Sequence, residues 1–198
     1  MESFEQLIAG YLEHQVGISD TFLSASLSQS LKENLLALHA NNFLQNAGTG
    51  NETVALHNKK VRGDSIYWLD KSHNDPFENA FFLRVDAFIA YLNESCYAGI
   101  TGYEFHYTLY ETGSFYVKHL DQFKNHSGRA FSIISYLNSD WKAADGGELL
   151  IYQTGKNRKI SPNAGKTVFF KSDELEHEVL VTNERRMSVT GWLKRSSH

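Results

Sequence analysis

The stretch GYEFHYTLYETGSFYVKHLD (residues 102–121) decides the fold, because in it the hydrophobic period becomes two. Apolar and aromatic residues alternate with polar ones, and a turn at Glu111-Thr112-Gly113-Ser114 parts the run into two strands. Downstream, RAFSIISYLN, GELLIYQ, NRKIS, KTVFFKS, HEVLVT and RMSVTGWLK repeat the pattern with turn residues between them. Short strands at such spacing predict an all-β sandwich or barrel. Upstream the period is helical. Helices first and strands afterwards make an α+β, mainly β chain whose second half is a jelly-roll-like double sheet. We read one domain over 1–198, with helical support and a loop and strand over 1–97 and the β core over 98–195.

In the first half, Phe4, Leu7, Ile8, Tyr11 and Leu12 recur at helical spacing. A second helix is expected through residues 21–43, capped by Asp20, with Phe22, Leu23, Leu27, Leu31, Leu35 and Leu38 as its stripe. Residues 44–52 read as a mobile loop and 61–69 as a strand. Asp75-Pro76-Phe77-Glu78 has the signature of a helix start, followed by a stripe of Phe77, Phe81, Phe82, Val85, Phe88, Ile89 and Leu92.

The 198 residues suit a single core, and 13% aromatics with two prolines favour packed structure over disorder. A formal net charge of −4 leaves no basic footprint for nucleic acid. The single cysteine, Cys96, excludes an internal disulfide framework and a thiolate metal cluster. No apolar run approaches the ~20 residues of a membrane span, and the start lacks a signal-peptide pattern. The expectation is a cytoplasmic protein with no nucleic-acid or membrane partner. Oligomeric state is not legible.

Residues i and i+2 of a strand share a face, so His119 and Asp121 present an imidazole and a carboxylate to one point. Val117 and Leu120 are expected to pack on the opposite face, and Lys118 to reach solvent. His177, 58 residues on, supplies a third ligand. Two histidines and one carboxylate, with open positions opposite, suit a non-haem Fe(II) oxygenase, although Zn(II) or Mn(II) fits the same donors. His-x-Asp is a common pattern and recurs as His73-Asn74-Asp75. There Asp75 is already a helix cap, so His73 is placed on a surface loop. His14, His39, His57, His106 and His126 receive the same reading.

In NERRMSVTGWLK (183–194), alternation sets Arg186, Ser188, Thr190 and Trp192 on one face and Met187, Val189, Gly191 and Leu193 on the other. An arginine and two hydroxyls over an apolar back suit a cavity built for a carboxylate. Arg185 is assigned to solvent.

YETGSFYVKHLD, YLNSDW, GGELLIY, GKTVFFKSDELEHEV and RRMSVTGW together resemble the Fe(II)- and 2-oxoglutarate-dependent dioxygenases. Within these the chain is most similar to prolyl 4-hydroxylases of the oxygen-sensing, hypoxia-inducible-factor type and their bacterial relatives, over roughly residues 61–194. The resemblance implies a double-stranded β-helix (cupin-like jelly roll) with N-terminal helices. It implies that His119, Asp121 and His177 hold Fe(II), and that 2-oxoglutarate and O2 are cosubstrates with ascorbate as reductant. Arg186 and Tyr136 would bind the distal carboxylate of 2-oxoglutarate. Tyr110, Leu149 and Thr190, with Ser188 beside them, would line its pocket. The segment between Tyr110 and His119 is one residue shorter than in the oxygen-sensing enzymes. Tyr116, Arg129 and Trp192 match positions around a target prolyl ring, and Arg62 and Asp64 belong to a segment that closes over a peptide.

The expected activity is hydroxylation of a peptidyl proline in a protein partner. The alternatives are the same chemistry on a free amino acid or small molecule, a cupin-like metalloenzyme, or a binding module without turnover. The metalloenzyme reading leaves Arg186 and Tyr136 without a role, and the intact triad and arginine speak against a silent module.

Overall fold

The structure, a computed structural model, describes residues 1–48, 61–122 and 128–196. Helix α1 (Glu2–His14) is followed by strand β1 (Val16–Ser19), helix α2 (Ala25–Ala40) and strands β2 (Gln45–Asn46) and β3 (Asp64–Trp68). Helix α3 (Pro76–Cys96) leads into β4 (Gly102–Tyr110), β5 (Tyr116–His119), β6 (Arg129–Tyr136) and β7 (Leu149–Ile151). The chain ends through β8 (Arg158–Ile160), β9 (Thr167–Lys171), β10 (His177–Val179) and β11 (Arg186–Lys194). A seven-stranded sheet, in the order β1-β9-β6-β11-β4-β3-β2, faces a four-stranded one, β5-β10-β7-β8, and neighbouring strands are antiparallel. This is the expected double-stranded β-helix with its N-terminal helices.

Strand alternation divides the core in two. Phe105, Tyr107, Leu109, Met187, Val189 and Leu193 turn outward from the large sheet onto the helices, where Leu7, Leu31, Leu35, Phe81, Val85 and Phe88 bury them. Ile134, Tyr136, Leu149, Ile151, Val168 and Phe170 fill the space between the sheets. One sheet face is therefore sealed by helices, and the other is free to build a cavity.

Helix α3 starts as its sequence predicts. The Asp75 carboxylate accepts from the backbone N–H groups of Phe77 (2.9 Å) and Glu78 (2.8 Å), with Pro76 in the first turn. That commitment leaves His73-Asn74-Asp75 unable to act as a metal pair, and the His73 ring binds Glu78 instead (3.0 Å). Phe77, expected in the stripe, is exposed.

Helix α2 differs from expectation. Ser24, not Asp20, caps it, its side chain accepting from Leu27 N at 3.2 Å, and Phe22 and Leu23 are buried ahead of the helix. Residues 16–19, to which the sequence pattern assigns no element, form a strand that pairs with β9 and adds an N-terminal strand to the large sheet. Leu12 is 75% exposed, off the face that α1 buries. Of the expected loop over 44–52, residues 49–52 lie outside the described residues, as do His57 and His126. Residues 45–46 form the short strand β2. No helix among the described residues is long and apolar enough to cross a membrane.

Helix α1 packs directly on β1 at Gly17, where an added Cβ would lie 1.9 Å from the Leu7 carbonyl oxygen. Gly17→Ala is thus expected to push α1 off the sheet and to destabilise by about 1–3 kcal/mol or more. Urea unfolding checks this, and an unchanged midpoint would contradict the packing.

Candidate active site

His119 ends β5 and His177 begins β10, and the two are direct partners across the ladder. Each Nδ1 lies against the carbonyl oxygen two residues earlier, His119 to Val117 at 2.8 Å and His177 to Leu175 at 3.1 Å. A carbonyl only accepts, so each neutral ring carries its proton on Nδ1 and leaves the Nε2 lone pair free. Burial lowers the His177 pKa and favours the same neutral form. His119 Nε2 lies 3.5 Å from Asp121 Oδ1 and His177 Nε2 3.6 Å from Asp121 Oδ2. The ligand atoms of all three residues fall within 4.8 Å of one another. Burial raises the Asp121 pKa, but positive charge at His177 and His119 and the Ser132 hydroxyl outweigh it and hold the carboxyl well below the usual range; a cation bound among the three residues supplies that charge when the imidazoles are neutral. Two free imidazole nitrogens and an ionised carboxylate converging on one point fit an Fe(II) ion with open positions.

The i, i+2 argument holds in outcome but not in mechanism. Strand β5 ends at His119, so Asp121 lies beyond it. Two residues of β10, His177 and Val179, span the register of His119 and Tyr116, which are three apart. This β-bulge puts Tyr116 and His119 on one face and turns both Val117 and Lys118 outward. Val117 is consequently exposed, and Leu120 lines the cavity, contrary to the expected packing on the opposite face. Lys118 reaches the surface as expected, beside Glu176.

The cavity holds about 290 Å³, near the lower end for ligand pockets. Arg186 lies deep in it, 2% exposed. Its Nε donates to the Gly147 carbonyl oxygen (2.8 Å), and its guanidinium stands over the rings of Tyr136 (5.0 Å) and Tyr110 (5.1 Å). No carboxylate among the described residues pairs with it. A buried guanidinium without a counter-charge is expensive, so this cavity is prepared for an anion. The Tyr136 hydroxyl beside it is buried with no hydrogen-bond partner among the described residues. Burial raises the pKa of Tyr110 and Tyr136, which keeps both phenols protonated as donors. Gly147 has φ +64°, and a Cβ there would meet Thr182 Oγ1 at 2.9 Å and Arg186 Cδ at 3.1 Å. The glycine lets the loop close around the arginine. These groups suit a dicarboxylate such as 2-oxoglutarate.

Arg186, Tyr110, Leu149 and Thr190 all line the cavity with His119, Asp121 and His177. Tyr136 sits behind Arg186, outside the lining. Ser188 is also outside it, fully buried with its hydroxyl 3.1 Å from that of Thr190, so it supports a wall rather than forming one. At the mouth, Arg129 lies over the Trp192 ring (3.5 Å), pairs with Glu104 (2.7 Å) and donates to the Asp121 carbonyl oxygen (3.2 Å). Arg62 and Asp64 form a two-point ion pair (2.7 and 2.5 Å), and Arg62 covers the Tyr116 ring (4.3 Å), whose other face stacks on His119 (3.6 Å). Trp68 stands at the rim, 47% exposed. Arg185 pairs with Glu111 at the surface.

Sequence reasoning missed His106. It is 3% exposed and lines the cavity between the rings of Trp68 (4.9 Å) and Trp192 (5.5 Å). The signal was its parity with Tyr110 along β4. Burial pushes its pKa down from 6.5 to about 4, against the hydrogen bond to the Tyr107 carbonyl. The unfolded chain therefore takes up a proton near pH 6.5 that the folded chain refuses until about 4, so stability falls as pH drops through that window. Between pH 7 and 5 the native chain is expected to lose about 2 kcal/mol more than His106→Phe in urea unfolding. Equal losses would place the imidazole in a wetter site.

A sequence profile of the 2OG-Fe(II) oxygenase superfamily matches residues 105–194. The prolyl hydroxylase EGLN3 of Mus musculus is 27% identical over 201 residues, covering 90% of this chain and 79% of its own. The crystal structure of a Pseudomonas putida prolyl-4-hydroxylase is similar with a TM-score of 0.88 at 29% identity, covering 98% of this chain and all of the other (100%). A Trichoplax adhaerens prolyl hydroxylase, in complex with a hypoxia inducible factor oxygen degradation domain peptide fragment, gives 0.86 at 25%, with 96% and 88% covered. The fold and the site define a dioxygenase that depends on Fe(II), 2-oxoglutarate and O2. Residues 105–194 thus match the 2OG-Fe(II) oxygenase superfamily, and over nearly its whole length the chain is similar to prolyl hydroxylases.

Proposed function

We propose that this chain, as one oxygenase domain, hydroxylates a proline within a protein or peptide partner. The observation that carries the reading is the pairing of the His119/Asp121/His177 cluster with the buried, uncompensated Arg186 inside one cavity open to solvent. In the balanced reaction a substrate C–H, 2-oxoglutarate and O2 give C–OH, succinate and CO2. Bound Fe(II) supplies the activation of O2 and the redox chemistry.

The protein's own residues do the positioning. His119, Asp121 and His177 hold the ion with three donors and leave its other positions open. Arg186 grips the distal carboxylate, with the Tyr136 hydroxyl set behind it, while Tyr110, Leu149 and Thr190 shape the wall. Trp192, braced by Arg129, and the edge of the Tyr116 ring, clamped between Arg62 and His119, line the space for a prolyl ring. The exposed Trp68 rim supports an extended substrate over a small one, because a buried small-molecule pocket has no use for it. The lone Cys96 suits a reduced, cytoplasmic setting, and ascorbate as iron reductant belongs to the same proposal.

Anaerobic reconstitution with Fe(II), followed by succinate measurement against a proline-containing peptide library, tests the reading. One peptide should stimulate turnover and gain one oxygen by mass. Stimulation by free amino acids but by no peptide would overturn the substrate assignment.

A further inference from the structure

We propose that Ser132 and Ser172 are a positioning pair that aims the Asp121 carboxylate at the metal. This rests on the assignment of His119, Asp121 and His177 as the metal site. Asp121 is two residues past the end of β5, so no ladder partner sets its place, yet it is buried. The Ser132 hydroxyl donates to Asp121 Oδ2 at 2.6 Å, and the Ser172 hydroxyl lies 2.9 Å from that of Ser132. An ionised carboxylate only accepts, so the Ser132 proton is committed to Asp121 and Ser172 must donate to Ser132. The result is a directed chain, Ser172 to Ser132 to Asp121.

The serines stand where they can enforce a position. Ser132 is on β6 and Ser172 directly follows β9, two adjacent inner strands of the large sheet, and both are fully buried. The backbone repeats the attachment: Gln122 N donates to the Ser172 carbonyl oxygen (3.1 Å), and the Arg129 guanidinium holds the Asp121 carbonyl. Packing between aromatic and aliphatic neighbours would be met by alanine at either position, and a buried hydroxyl costs stability unless its bonds are made. With Oδ2 held by Ser132, Asp121 offers Oδ1 as its free donor. Single-oxygen ligation keeps the donor count at three and spares the positions that cosubstrate and O2 require.

The test is anaerobic titration of the full chain with Co(II), following the metal's visible absorption and the heat of binding. Without Co(II) binding in the native chain, the metal assignment itself fails. If the native chain binds, Ser132→Ala should bind about tenfold more weakly and show a changed Co(II) spectrum, with cooperative apo unfolding retained. Ser172→Ala, which leaves the first hydroxyl in place, should shift affinity and spectrum in the same direction by less, and it carries the test if Ser132→Ala does not fold. Native affinity together with a native spectrum in the alanine variants would overturn the positioning role.

Discussion

Asp121→Ala is expected to abolish 2-oxoglutarate turnover, by about 10³-fold or more, since the ion's contribution to such chemistry is worth several kcal/mol. The substitution removes the only negative donor of the cluster and leaves two neutral imidazoles to hold a divalent ion. Succinate release with and without peptide should fall together, because both depend on the ion. Metal content after dialysis should fall as well. The cavity around Arg186 is built by other strands, so the variant should keep its fold and its arginine. Turnover within tenfold of native, with metal retained, would refute the assignment of Asp121 as a ligand.

Arg186→Ala should produce the complementary loss. Truncating one partner of a desolvated charge pair costs about 2–5 kcal/mol, which corresponds to a rise of roughly 30-fold to several thousandfold in the KM for 2-oxoglutarate. Metal content should stay near native, because Arg186 touches none of the three ligands in the contacts described. Arg186→Lys should recover only part of the affinity, since an ammonium lacks the planar fork that meets a carboxylate at two points. Without cosubstrate, Arg186 is a buried cation with no counter-ion among the described residues, so Arg186→Met should leave the ligand-free protein no less stable to urea. Metal loss with unchanged cosubstrate affinity would show that this face has been misread.

Much of this site was legible because its residues lie on long strands whose period survives folding. Arg186, Ser188, Thr190 and Trp192 share a face in the sequence, and β11 keeps that parity for nine residues. The Asp75-Pro76 start of α3 was equally plain, since a cap is a local event. The failures were non-local. Val16–Ser19 is too short to announce itself and becomes a strand only against β9. The bulge in β5 is set by its register with β10, and nothing in Tyr116–His119 itself signals that two successive side chains face outward. His106 was passed over by residue type although its strand parity with Tyr110 was available, and its burial depends on Trp68 and Trp192 from two other strands.

The three candidate ligands also divide unevenly between the sheets. His119 and His177 belong to the small sheet, whose strands are three or four residues long, whereas Asp121 is tied by serine and backbone bonds to β6 and β9 of the large one. An ion held by all three is a rivet through both walls of the barrel. With iron bound there, the least self-sufficient part of the fold would gain its anchorage from the same atoms that serve the chemistry, and iron supply would be a mechanical condition of the protein as well as a catalytic one.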